Sequence, residues 1–179
     1  MKLFFRIIFK IFLILAILPG YATTEEIKET DSDALLNQGI ALLEEGQYDL
    51  SINCFNKAIE INPRDAEAYI NRGNAYYKKG RYDKAISDYS KAIEINPRNA
   101  KAYYNRGLAY ERKGQYDKAI SDYTKAIELN PRYAKAYKNR GNAYDAKDNM
   151  KKACPDWKRA CEFGDCINYK KSKSLKDCE

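Results

Sequence analysis

Three of the chain's five cysteines lie within thirteen residues, in CPDWKRACEFGDC from Cys154 to Cys166, around the only tryptophan. Thiols this close can hold a metal, run a dithiol couple or lock a fold. A zinc site wants cysteines paired about two to four residues apart. From Cys154 through Cys161 and Cys166 to Cys178 the gaps are six, four and eleven residues, and no Cys-x-x-Cys dithiol is present. The chain has no histidine, which removes the commonest zinc ligand and the base of Ser-His and Cys-His catalysis. Neither a metal nor a cofactor is expected, nor an enzyme. Disulfides remain. On one helix Cys154 and Cys161 would stand about 10 Å apart at about 1.5 Å per residue, beyond the roughly 7 Å that a bridge spans. Gly164-Asp165 reads as a turn before a final polar helix, which folds Cys161 onto Cys166 and Cys154 onto Cys178. The nested pairing is the expected one. Cys54 is left over, as a small buried apolar residue or as a site for an intermolecular bridge.

The elements that position these thiols repeat every 34 residues. AEAYINRGNAYYKKGRYDKAISDYSKAIEINPRN, residues 66–99, recurs as AKAYYNRGLAYERKGQYDKAISDYTKAIELNPRY, residues 100–133, with looser copies at 32–65 and 134–167. A strict period of this length marks a solenoid, because one unit cannot bury its apolar face alone. Tyr69, Gly73 and Tyr76 share one helix face, as do Ala85, Tyr89 and Ala92. The glycine of KKGRYD ends the first helix, and Asp83 is the expected N-cap of the second. Asn96-Pro97 stops that helix, since the residue before proline avoids the α region. Pro155 suits only the opening of a helix, so the second helix of the last unit is expected to start late, near Cys154.

These hairpins resemble the tetratricopeptide repeat, of the bacterial exported type. The family's aromatic, glycine, alanine and proline positions match Tyr69, Gly73, Tyr76, Ala85, Tyr89, Ala92 and Pro97, and again Tyr103, Gly107, Tyr110, Ala119, Tyr123, Ala126 and Pro131. The outer copies depart from the pattern at Leu35, Leu42 and Ser51 and at Gly164-Asp165. The resemblance implies an all-α, right-handed α-solenoid of four 34-residue helix-turn-helix repeats (32–65, 66–99, 100–133 and 134–167), with a C-terminal capping helix within 168–179. It also implies a non-catalytic scaffold that binds a partner peptide in a concave groove lined by the first helix of each hairpin. By position that lining is Leu36, Ile40 and Leu43; Ile70, Asn74 and Tyr77; Lys101, Tyr104, Leu108 and Arg112; and Lys135, Lys138 and Asn142. It runs from apolar to cationic, which suits a peptide with an apolar stretch and an acidic end. The competing readings are cover of the first apolar positions by residues 23–31, self-association into a homo-oligomer through unit one, and a thiol redox or metal protein. Lys138 and Asn142 resemble the family's pair for a C-terminal carboxylate, but no later repeat follows to complete that grip.

One departure recurs. The residue before the glycine is Arg72, Arg106 and Arg140, and the residue before the second-helix aromatic is Asp88, Asp122 and Asp156, whereas unit one has Gln38 and Cys54. The two types are lost together, so an Arg–Asp pair is expected inside each of units two to four.

The first 22 residues stand apart. Lys2, Arg6 and Lys10 precede the apolar run Ile11 to Leu18, followed by Pro19, Gly20 and Ala22, as in a cleaved secretory signal. An uncleaved anchor is the alternative, and the charges at Arg6 and Lys10 leave it short of the ~20 apolar residues that span a bilayer. An exported location, periplasmic or extracellular, favours disulfides. Losing that segment lowers the formal charge from +7 to +4, and the remaining charges are interleaved, so no nucleic-acid partner is expected.

Overall fold

The computed structural model describes residues 24–166 and Cys178; the expected leader and the rest of the expected capping helix lie outside the described residues. Eight helices follow one another: α1 (Thr24–Glu44), α2 (Tyr48–Ile61), α3 (Ala66–Lys78), α4 (Tyr82–Ile95), α5 (Ala100–Arg112), α6 (Tyr116–Leu129), α7 (Ala134–Asp145) and α8 (Met150–Glu162). They pair as α1/α2, α3/α4, α5/α6 and α7/α8, and each hairpin packs on the next. No strand occurs among the described residues. The molecule is an all-α helical-repeat solenoid.

A glycine–aromatic contact closes each hairpin. A Cβ placed at Gly73 would lie 2.7 Å from Cε1 of Tyr89, and one at Gly107 would lie 2.7 Å from Cε1 of Tyr123. Phe55 meets Gly39 and Trp157 meets Gly141 in the same way. Only a residue without a side chain lets the ring lie on the helix backbone, and Phe55, Tyr89 and Tyr123 are fully buried there. Ala58, Ala92 and Ala126 are equally buried, which lets the following hairpin approach, and Ala160 is buried in unit four. Between the helices the chain turns through Gly46, Gly80 and Gly114 at φ near 70 to 80°, and through Asp148 at φ 55° in unit four. Aspartate tolerates this left-handed conformation better than most side chains.

Two local expectations are corrected. Asp83 does not cap α4, because the helix starts one residue earlier, at Tyr82. Asp83 therefore lies in the first turn, where its carboxylate faces the helix dipole and takes the ammonium of Lys113 from the next hairpin. Likewise, α8 does not start at Cys154. It begins at Met150, capped by the Asn149 side chain on Lys152 N–H, and runs through Pro155. Pro155 is exposed, as Ser87 and Ser121 are at that position, so the carbonyl deprived of its N–H partner lies on the water side of the helix.

The segment before unit one also differs from expectation. Residues 24–31 continue α1 as helix instead of folding back over Leu36. Leu36 is covered by Phe55, Ala58 and Ala68.

At the far end, Cys154 is bonded to Cys178 and Cys161 to Cys166. The turn after α8 packs its Phe163 ring 5.9 Å from that of Tyr137, with the Arg132 and Arg159 guanidinium groups over it. This cross-linked turn covers the start of α7.

Candidate functional site

Each first helix touches the next first helix, α1 to α3, α3 to α5 and α5 to α7, while successive second helices make no comparable contact. The first helices therefore line the inside of the bend. Side chains from neighbouring units meet across this face: Asn105 Nδ2 donates to Asn74 Oδ1 at 3.0 Å, Asn139 Nδ2 to the Tyr104 hydroxyl at 3.0 Å, and Arg112 Nε to the Tyr77 hydroxyl at 3.0 Å.

The core aromatics reach the same face from behind, and their polar tips account for one row of it. Tyr89 donates to Asn74 at 2.9 Å and Trp157 Nε1 to Asn142 at 3.0 Å. In unit three that row carries Leu108, which has no acceptor, and Tyr123 instead donates to Glu111 at 2.6 Å. In unit one the ring is Phe55, with no polar tip, and the row carries Ile40. The residue in this row thus answers the core residue behind it. A buried O–H or N–H requires an acceptor and a phenyl ring does not.

Of the thirteen positions expected to line a groove, Leu36 and Ile70 are core residues at 9% and 3% exposure and offer no surface to a ligand. Position alone marked them, whereas the faces of α1 and α3 that bear them turn toward Phe55 and Tyr89. Ile40 and Leu43 are half-buried. Asn74 and Asn142 are engaged by the core as described. Lys138 is turned aside: its ammonium lies 2.6 Å from Oδ2 of Asp165, in the cross-linked turn. Lys101, Arg112 and Lys135 are exposed, and Tyr77, Tyr104 and Leu108 are half-exposed.

Tyr77, Leu108 and Arg112 come together. With Glu111, Tyr116 and Asn139 they line an open hollow of about 500 Å³ across units two to four. Glu111, Tyr116 and Asn139 were not expected in this hollow, nor Asn105 on the inner face beside it. The asparagines had left a signal in the recurring Asn-Arg-Gly at 71–73, 105–107 and 139–141. Burial pushes the Tyr104 hydroxyl up to about 12, with the Tyr133 hydroxyl adding to it. The hydrogen bond to Tyr77 holds Arg112 further into its charged form.

Away from this face, the expected Arg–Asp pairs are present in all three units. Arg72 binds Asp88 through Nε and Nη2 at 2.9 and 2.7 Å, Arg106 binds Asp122 at 2.8 and 2.8 Å, and Arg140 binds Asp156 at 2.7 and 2.7 Å. The third nitrogen of each reaches the hairpin before it: Nη1 of Arg72 donates to Asn56, that of Arg106 to Ser90 and that of Arg140 to Thr124. The bonds that Arg72 and Arg106 donate to Asp88 and Asp122 raise the pKa of these arginines; burial pulls Arg140 the other way and Asp156 more than offsets it. The pairs are structural, joining three helices each.

Family comparison agrees with this architecture. A TPR repeat model matches residues 39–80 and 73–114, and tetratricopeptide repeat models match 100–133 and 122–154. A solved structure of MamA protein is 32% identical, covering 74% of this chain and 73% of its own with a TM-score of 0.70. The chain belongs to the tetratricopeptide repeat proteins. A second MamA structure is 28% identical over 86% of this chain and 99% of its own, with a TM-score of 0.71. The first tetratricopeptide domain of Spaghetti (RPAP3), solved bound to the HSP90 peptide SRMEEVD, is 27% identical over 67% of this chain and 95% of its own, with a TM-score of 0.66. No curated protein sequence matches. As a tetratricopeptide repeat protein the chain is a protein–protein interaction scaffold. Among the described residues no group of three or more His, Cys, Asp or Glu side chains could hold a metal ion. No described helix is long and apolar enough to cross a membrane.

Proposed function

We propose that this is an exported, non-catalytic scaffold whose inner face holds an extended segment of a partner protein across units two to four. The observation that carries this is the hollow between Tyr77, Leu108 and Arg112, where aromatic and aliphatic surface adjoins a guanidinium already oriented by Tyr77. Lys101 and Lys135 stand exposed on the same helices. An apolar side chain fits between the rings, and an acidic neighbour meets the cations. The similar domain of Spaghetti (RPAP3) was solved with a peptide of this kind, SRMEEVD, which supports the chemistry without naming a partner for this chain. The family's carboxylate pair is not part of the proposal, since Lys138 and Asn142 are both engaged within the fold.

The test is a panel of labelled peptides that vary apolar and acidic content, followed by fluorescence anisotropy. Apolar peptides with an acidic end should bind, and Tyr77→Ala and Arg112→Ala should each weaken them by roughly ten-fold, the effect of losing about 1.4 kcal/mol. Equal binding by the two variants would move the site elsewhere. Cleavage after Ala22 is read directly from the N-terminus of the chain recovered from the envelope.

A further inference from the structure

Among the described residues no hairpin precedes unit one, and its open side differs in kind from the side that later units bury. Along α3 and its C-cap the stripe Tyr69, Arg72, Tyr76 and Lys79 turns toward the preceding hairpin: Arg72 donates to Asn56 and Lys79 pairs with Asp49. The Arg72 guanidinium also stands over the Tyr69 ring and the Lys84 ammonium over the Tyr76 ring, each at 5.4 Å. One period earlier the same positions hold Leu35, Gln38, Leu42 and Glu45, with Leu50 for Lys84 and Cys54 for Asp88. The end of the array has therefore exchanged its arginine, its aspartate, two lysines and two tyrosines for three leucines, a glutamine, a cysteine and one rim carboxylate, which Gln47 engages. Leu50 is 53% exposed, and Cys54 is half-buried with its thiol free. A solenoid end that faces water carries a polar outer surface. This one is less charged than the interior surfaces it corresponds to.

We infer that the Leu35–Leu42–Leu50 end of unit one docks on the same end of a second copy of this chain, about a two-fold axis. A nearly uncharged face meets itself without repulsion, whereas the arginine and lysine stripes of units two to four would oppose like charges. At the other end of the array Cys154 is tied by its bridge to Cys178 and Lys138 to Asp165, so among the described residues that end does not match the surfaces on which units two to four stack. What remains is a closed, isologous pair and not a filament. The backbone from Thr24 to Asp31 also runs on as helix instead of turning across this face. The dimer leaves both hollows open, so it is independent of the peptide reading.

The test uses the full chain as purified, in sedimentation velocity and in cross-linking. The parent should sediment as a dimer at micromolar concentration, and a bismaleimide should join Cys54 to Cys54 of the second copy. Leu42→Tyr with Leu50→Lys restores the pair that units two to four carry, so the fold is kept, and the dimer should weaken at least ten-fold. A monomeric parent, or a variant that dimerises as well as the parent, would overturn the inference. So would a thiol-to-amine reagent that links Cys54 chiefly to Lys2 or Lys10 of its own chain, which would make the leader the occupant. Unchanged peptide binding by the double variant would show the groove intact.

Discussion

The ammonium of Lys138 lies 2.6 Å from the Asp165 carboxylate, which ties the inner face of unit four to the turn held by the Cys161–Cys166 bridge. The turn thereby takes one cation out of reach of an acidic ligand. The other oxygen of Asp165, Oδ1, is buried with no hydrogen-bond partner among the described residues, so Lys138 is the counter-charge on which this carboxylate rests there. Asp165→Ala should expose Lys138 and tighten acidic peptides about three- to ten-fold, a gain of roughly 0.6 to 1.4 kcal/mol. Titration of one peptide against parent, Asp165→Ala and the double variant with Lys138→Ala checks it, and the double variant should return to the parent value.

Arg106→Leu should cost about 3 kcal/mol, because Asp122 is only 6% exposed and would be left as an unpaired buried charge. Replacing both residues by leucine should recover most of that loss. Urea unfolding of the two variants gives the comparison. A double variant as unstable as the single one would show that the bond from Arg106 to Ser90 matters more than the pair.

Legibility followed chemistry that repeats. The period and the glycine–aromatic contacts lay in residue types recurring every 34 positions, and the joint loss of arginine and aspartate in unit one exposed their pairing. Features set by one unit's surroundings were harder to read. The acceptor for Tyr123 is Glu111 only because Leu108 cannot serve, and Lys138 is engaged only because the turn at Asp165 folds onto it. Leu36 and Ile70 resembled lining residues by position, but the rotation of each helix about its own axis decides which apolar residue faces inward.

Gly107→Ala should destabilise the protein by about 1 to 2 kcal/mol. Alanine gains roughly 1 kcal/mol of helix propensity over glycine, but its methyl would lie 2.7 Å from a Tyr123 ring that is fully buried and cannot swing away. Overpacking of that kind costs roughly 1 to 3 kcal/mol and rearranges neighbours. Adding Tyr123→Leu to Gly107→Ala removes the ring, so the alanine should then be neutral or favourable relative to Tyr123→Leu alone. Thermal unfolding of the four proteins reads the coupling.

Tyr89, Tyr104 and Tyr123 all have hydroxyl pKa values raised above 10.0, with burial as the largest cause. The stability tied to these shifts is complete below the unfolded value and is lost as pH rises from 10 through the folded values, the first of them about 12 for Tyr104. Absorbance at alkaline pH should therefore show two classes of tyrosine, with the buried class ionising only as helical circular dichroism disappears. A single smooth titration with the helices intact would contradict it.

Because each arginine reaches backward to whatever acceptor the previous hairpin offers, Asn56, Ser90 or Thr124, this bond does not specify which unit a unit follows. Deleting residues 66–99 would join Asp65 to Ala100, leave a side-chain cap at the start of α5, and present Arg106 with Asn56, the acceptor that Arg72 now uses. Such a chain keeps the arginine bonds that join its hairpins, while on the inner face Asn105 and Arg112 would meet Ile40 and Leu43 in place of Asn74 and Tyr77. The length of the array is thus a free parameter of the gene: whole units can be gained or lost by recombination in register, changing the reach of the inner face without a new core having to be found.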